Sequence, residues 1–233
     1  MQLSNRLKTV ADTVTKGNRV ADVGCDHAYI AIYLAENNIA PKVIAMDVNI
    51  GPLSRANENI ALWRLTGKIE TRLSDGLLKL KPSEADSVVI AGMGGALIVK
   101  ILKEGEESLL GVKELILQPQ SEIFFLRRYL HEKCYEIQSE KMVKEDEKYY
   151  VIIKAVKADK AKAYEKDIFY LYGKLLLESR EPVVKEYLER EMRLKSQVEA
   201  VLAEPATFGS AKRLAEIKEE ISVVEEALKY FEE

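Results

Sequence analysis

Three carboxylates and one glycine stand close together early in the chain. Asp22, Gly24 and Asp26 fall within Ala21-Asp-Val-Gly-Cys-Asp-His-Ala-Tyr29, and Asp47 follows about 20 residues later. A glycine that turns the backbone at the carboxyl end of a strand lets a ligand approach the main chain. A carboxylate at the end of the next strand accepts hydrogen bonds from ribose hydroxyls. Together they are the chemistry of a bound nucleoside. The turn is not a G-x-G-x-x-G, because Asp26 stands at the second glycine position, where a dinucleotide's pyrophosphate would lie. That argues against a nicotinamide-dependent enzyme. Asp26 itself has two readings, a carboxylate facing a reacting centre or the N-cap of a helix beginning near His27.

Other short segments are candidates for the same ligand. Ser74-Asp75-Gly76 is a turn that could set a carboxylate near an adenine amino group. Ala91-Gly92-Met93-Gly94-Gly95 places small residues after a buried strand, with Met93 able to fill one side of a pocket. Its glycines equally suit close strand–helix packing. Gln118-Pro119 ends a further strand, and its amide could meet a base edge. His27 and His131 lie on different elements, so no Ser/His/Asp triad is available, and Cys25 and Cys134 have no metal-ligand spacing.

These residues need elements to hold them. The sequence alternates strand and helix patterns: strands at 20–23, 43–48, 69–73, 85–91 and 114–117, with helices at 28–36, 53–65, 96–103 and 122–133. An amphipathic helix carrying Leu3, Leu7, Val10 and Val14 precedes them. Two last strands, 135–143 and 148–156, flank the charged turn Lys144-Glu-Asp-Glu147 and predict an antiparallel hairpin. Repeated β-α units predict an α/β fold, a mostly parallel sheet with helices on both faces, closed by that hairpin. After about Lys157 strand patterns stop, which divides the chain into domains 1–157 and 158–233. Leu214, Ile217, Ile221, Val224, Leu228 and Phe231 keep a 3-4 spacing, and Val184, Tyr187, Leu194, Val198 and Val201 keep an interrupted one. With the turn Glu204–Ser210 between them, they predict a helical hairpin with a coiled-coil-like seam. The segment 167–178 is expected to pack this hairpin onto the sheet domain.

Bulk composition narrows the partners. The chain has 233 residues, a net charge of −3 and 47% hydrophobic residues, with a pI of about 5.7. No global positive field advertises nucleic acid, so any such surface must be local. Arg6, Lys8, Arg19, Arg127, Arg128 and Lys133 are the candidates for phosphate contacts. The two thiols fit a reducing compartment, the N-terminus lacks a signal-peptide core, and the longest apolar run is too short to span a bilayer. A cytoplasmic location is expected, with no membrane partner and no metal, and a monomer is favoured.

Ala21-Asp-Val-Gly-Cys-Asp-His-Ala-Tyr29, Ser74-Asp-Gly-Leu77, Ile90-Ala-Gly-Met-Gly-Gly-Ala96 and Leu115-Ile-Leu-Gln-Pro119 closely resemble the bacterial tRNA (adenine-N1)-methyltransferase family TrmK. Leu3-Ser-Asn-Arg-Leu7 and the C-terminal hairpin also resemble that family. The resemblance implies a Rossmann-like class I methyltransferase sheet, S-adenosyl-L-methionine as methyl donor, and N1 of adenine 22 of tRNA as acceptor. It implies that Asp22, Gly24, Cys25 and His27 lie along the methionine part of the cofactor. Asp47, with Val48 beside it, would hold the ribose, and Asp75 and Gly76 would line the adenine pocket. Ala91, Gly92 and Met93 would border both cofactor and target base. Asp26 is then the candidate to manage charge on the methylated adenine. The competing expectations are a methyltransferase acting on a small molecule, which the acidic pI suits, and a non-catalytic adaptor that binds a partner through the hairpin.

Overall fold

A computed structural model gives the fold, and it describes residues 1–203 and 208–232. The expected turn at 204–210 lies outside the described residues, apart from the backbone of 208–210. The chain forms two compact units, Met1–Ala163 and Tyr164–Glu233.

In the first unit, α1 (Asn5–Thr13) precedes β1 (Val20–Val23), α2 (Tyr29–Glu36), β2 (Val43–Asp47), α3 (Ile50–Leu62), β3 (Ile69–Leu73) and β4 (Ser87–Met93). It continues through α4 (Gly95–Glu104), β5 (Glu114–Pro119), α5 (Ile123–Glu132), β6 (Tyr135–Glu145) and β7 (Lys148–Lys157). The sheet order is β3-β2-β1-β4-β5-β7-β6. The pairings from β3 through to β5 are parallel, and β7 is antiparallel to both β5 and β6. The order reverses between β1 and β4, and a crevice opens there at the carboxyl ends of the strands. On one face Val10, Ala11 and Val14 pack with Ile32, Leu34, Ala56 and Ile60 against Val20, Val43, Val89 and Ile116. On the other, α4 and α5 pack on each other, α4 on β4 and β5, and α5 on β6.

The hairpin is tighter than the sequence suggests. Its strands run to Glu145 and from Lys148, which leaves only Asp146 and Glu147 as the turn, both at positive φ. That is the type I′ geometry whose twist matches the strands. Helix α3 begins at Ile50, ahead of Pro52. A proline in the first helical turn is tolerated, because its missing N–H would have no intrahelical acceptor. Strand β4 continues past Ala91 through a bulge to Met93, which pairs with Pro119.

Two buried charges fix peripheral pieces to the sheet. Glu114, at the start of β5, accepts from the backbone N–H of Thr15 (2.8 Å), the Thr15 hydroxyl (2.6 Å) and the Ser87 hydroxyl (2.7 Å). It also pairs with Lys154 at 2.7 Å. Burial alone would raise its carboxyl, but Lys154, Thr15 and Ser87 outweigh that and hold it lower. This anchors the exit of α1. Arg127 of α5, fully buried, donates to Glu140 of β6 at 2.7 Å. It is therefore a structural cation, and the expectation of an Arg127–phosphate contact is corrected.

In the second unit, α6 (Asp167–Tyr172) and α7 (Lys174–Ser179) are separated by Gly173 at φ +86. The long helices α8 (Pro182–Ala203) and α9 (Phe208–Leu228) pack on each other, and Lys195 of α8 meets Glu220 of α9 at 2.6 Å. Val184 and Leu188 on α8 and Ile217, Val224 and Ala227 on α9 are buried, whereas Leu194, Val198 and Val201 are exposed. The apolar stripe of α8 is therefore buried only near its N-terminal end.

Breaking a buried pair on one side strands the other charge, which costs about 3–5 kcal/mol. Glu140→Ala is expected to lower unfolding stability by that amount, as a shift in the urea midpoint at constant slope. A shift within about 0.5 kcal/mol, the size of a neutral surface change, would show that the α5–β6 clamp carries no weight.

Candidate active site

The site is assembled where β1, β2 and β4 end. Val23 is followed by Gly24 at φ +73, and a Cβ at Gly24 would run into the terminal methyl of Met93. The left-handed backbone is what favours glycine here, and the Met93 side chain fills the space that its missing Cβ leaves. The N–H groups of Gly24 and Cys25 both donate to the Met46 carbonyl, at 2.8 and 2.9 Å, so the turn is tied to β2.

Asp47 is the junction of the site. Buried at the end of β2, it accepts from the Asn49 N–H at 2.9 Å through one oxygen and from the Asp26 N–H at 3.3 Å through the other. Its backbone carbonyl takes the N–H of Ser74 at 2.9 Å, which brings the β3 turn alongside. Ser74 in turn donates its hydroxyl to the Gly76 carbonyl at 2.9 Å, and Asp75 is exposed beside it. Val48 is exposed next to Asp47.

Asp22 is the most deeply buried carboxylate of the group, only 2% exposed, and one of its oxygens has no hydrogen-bond partner. Burial pushes its carboxyl up to about 7, opposed by the backbone N–H of Ala31 and assisted by the nearby Asp47 carboxylate. An orphaned buried oxygen is costly unless a ligand supplies the donor. Cys25 is buried as well, and burial together with Asp22 and Asp47 pushes its thiol well above the ordinary range. A thiol held in this form is a poor nucleophile.

Asp26 has a different environment. Its backbone is left-handed (φ 49) and its side chain is 70% exposed. The helix N-cap is Ala28, two residues later, also left-handed and with no side-chain capping bond. Asp26 therefore does not cap α2. His27 stacks on Tyr29 with ring centroids 5.3 Å apart, lies 3.6 Å from the Asp26 carboxylate, and its carbonyl accepts from Asn59 at 3.0 Å.

The glycines of the β4 loop divide by role. Gly95 is structural, since a Cβ there would lie 2.6 Å from the carbonyl oxygens of Ser121 and Glu122. Gly92 lies at the carboxyl end of β4, and its N–H donates to the Gln118 side-chain oxygen at 3.1 Å. Gln118 itself is fully buried, and its side-chain nitrogen donates to the Pro119 carbonyl at 3.0 Å. Its amide is committed to the protein and does not read a base, which corrects the sequence expectation. The group that sequence reasoning placed only loosely is Arg6, whose Nη1 donates to the same Gln118 oxygen at 2.8 Å. The partners are 112 residues apart, so local pattern carries no signal of the contact.

A seven-stranded sheet of this order, with a glycine turn and paired carboxylates at its switch point, defines a Rossmann-like methyltransferase. The sequence model of the family described as TrmK, tRNA (adenine(22)-N(1))-methyltransferase, matches residues 20–226. The chain belongs to that family and is an S-adenosyl-L-methionine-dependent enzyme. The tRNA (adenine(22)-N(1))-methyltransferase of Bacillus subtilis is 32% identical over 232 residues, covering 98% of both chains. The structure of an uncharacterized protein from Listeria monocytogenes superposes with TM-score 0.92 at 33% identity, over 97% of this chain and all of that one. Mycoplasma capricolum TrmK, solved with S-adenosyl-homocysteine, gives TM-score 0.85 at 29% identity, over 99% of this chain and all of that one.

The titration of Asp22 has a defined sign. The folded form holds this proton more tightly than the unfolded chain, whose ordinary value is 3.8. The stabilisation is complete below 3.8 and is lost as pH rises through about 7. In ligand-free protein, Asp22→Asn is expected to gain melting temperature relative to wild type as pH rises from about 5 to 8. A difference between the two that stays flat across that range would show that Asp22 does not titrate there.

Proposed function

We propose that, in methylating N1 of adenine 22 of tRNA, this chain divides the work among the three carboxylates at the strand tips. The observation that carries the reading is their contrast: Asp22 and Asp47 are buried and pinned, whereas Asp26 is exposed on a turn whose backbone is tied to Asp47. The buried pair suits a cofactor. Asp22 offers its orphaned oxygen to the ammonium of a methionine moiety, with Gly24, Cys25 and His27 along the same stretch. Asp47, with Val48 beside it, accepts from the ribose hydroxyls, and Asp75 and Gly76 flank the adenine. S-adenosyl-L-methionine, when bound, supplies an electrophilic methyl group on a sulfonium.

Adenine N1 has an in-plane lone pair and attacks without first losing a proton. Attack makes the base a cation, with charge shared onto the exocyclic amine. Asp26 is the group placed to stabilise that charge or to accept an amine proton. Ala91, Gly92 and Met93 border the space between the two reactants, and their part is positioning. A tRNA substrate is taken to place the protein in the cytoplasm. Among the described residues no helix is long and apolar enough to cross a membrane.

The test is nucleoside mass spectrometry of tRNA incubated with the protein and S-adenosyl-L-methionine, alongside calorimetric cofactor binding. Asp26→Asn is expected to bind cofactor within a few-fold of wild type while turnover falls about a hundredfold or more, the usual size of a lost acid–base group. Normal turnover in that variant would remove Asp26 from the chemistry. Wild-type protein that forms no N1-methyladenosine would overturn the activity.

A further inference from the structure

A polyanion must reach the strand tips, yet the basic side chains expected to meet it are mostly engaged elsewhere. Lys8 pairs with Asp12 at 2.5 Å, Arg19 with Asp86 at 2.9 Å, and Lys133 with Glu106 at 3.0 Å. Arg19 precedes β1 and so lies at the opposite end of the sheet from the crevice. Arg127 is buried on Glu140, and the Arg128 guanidinium stands over the Phe124 ring on α5.

Arg6 differs from all of these. Its guanidinium lies 5.3 Å from the centroid of the Tyr150 ring on β7, and its Nη1 donates to Gln118 on β5. A Cβ at Gly92 would lie 3.9 Å from Nη1, which sets the guanidinium against the β4 loop. The nearest carboxylate contact, Glu145, accepts from the Arg6 backbone N–H at 3.4 Å and forms no ion pair with the side chain. A guanidinium carries five N–H donors, and here one is used within the protein. The remainder form a fork of fixed orientation, held by a ring on one side and a fully buried amide on another. Such a fork matches the geometry of a phosphate, and its rigidity lowers the entropy lost on binding.

Its anchors lie away from the strand that carries the methionine-facing residues. Arg6 is held by β5 and β7, and β5 lies two strands from β1, about 10 Å at the usual strand spacing. The methionine-facing residues Asp22 and Gly24 are on β1 and its turn. The fork therefore meets the crevice at Gly92, between the two reactants, and away from Asp22 and Gly24.

We propose that Arg6 grips a backbone phosphate of the tRNA next to the target adenosine. The shared Gln118 oxygen couples that grip to the Gly92 amide. Substrate docking and the placement of the loop beside the target base are thus one connected contact. The assignment rests on the tRNA methyltransferase reading above.

The experiment compares full-length wild type, Arg6→Gln and Arg6→Lys in steady-state tRNA methylation at several salt concentrations, with calorimetric binding of S-adenosyl-homocysteine. Arg6→Gln is expected to raise KM for tRNA about ten- to a hundredfold, as for one charge-assisted contact. The salt slope of log(kcat/KM) should fall by about 1. Affinity for S-adenosyl-homocysteine should stay within about twofold. Arg6→Lys keeps the charge without the fork, so it should retain the salt slope while recovering only part of the KM. If Arg6→Gln melts well below wild type, the Arg6→Lys salt slope decides instead, and loss of slope there overturns the assignment. Tenfold weaker binding of S-adenosyl-homocysteine with an unchanged salt slope would place Arg6 on the cofactor carboxylate and overturn it. So would a fall in kcat alone, which would leave Arg6 as a support for the loop. A wild type that methylates tRNA and an Arg6→Gln that matches it overturns this assignment only. A wild type that forms no product overturns the activity reading itself.

Discussion

The Asp47 carboxylate is the contact on which the rest of the site depends. Its two oxygens hold the Asp26 and Asn49 amides, and its carbonyl holds Ser74, so three loops converge on one residue at the end of one strand. Parallel strands bring loops to a common edge, but they do not specify how the loops lie. A buried acceptor with two satisfied oxygens does, because each loop that left it would strand a polar group away from water. This arrangement also has a cost. Burial pushes the Asp22 carboxyl up to about 7, and the Asp47 charge beside it adds to the rise. A carboxylate buried beside another is costly to ionise until a positive group reaches it.

The strands of this fold are legible in the sequence because they are short runs of apolar or β-branched residues bounded by turn residues. Val20–Val23 and Ile69–Leu73 are read to the residue. Differences arise where a single residue's backbone overrides the local pattern. Ala28 adopts a left-handed conformation and delays α2 by one residue. Gly173 splits an apolar segment into α6 and α7. The bulge in β4 extends that strand through Gly92 to Met93, which composition alone would assign to a loop. On α8, the spacing of Leu194, Val198 and Val201 predicts a buried seam, but a heptad pattern on one helix cannot show whether a partner covers its full length.

The site divides along the same line. Gly24, Asp47 and the acidic turn at Asp26 follow from the spacing of strand ends along the chain, and the sequence carries that spacing. What it cannot carry is which side chains the fold has already used. Gln118 looks like a free amide at a strand tip but is consumed within the protein. Arg127 looks like a surface cation but is buried. Arg6 comes from the first helix, which packs on β5, β6 and β7 and whose exit Glu114 fixes through Thr15. Each of these depends on contacts between elements, and the one between Arg6 and Gln118 joins residues 112 apart, whose meeting is decided by the order of strands across the sheet.

The surroundings of Cys25 bear on how the enzyme endures chemical insult. Oxidants and alkylating agents attack the thiolate, and at Cys25 burial together with Asp22 and Asp47 suppresses the thiolate form. Burial is the larger cause, and the neighbouring carboxylates add to it. Cys134, which precedes β6 away from the strand tips, is the more accessible of the two thiols. A buried, protonated sulfur beside two carboxylates is thus the less open of the pair to oxidation or alkylation.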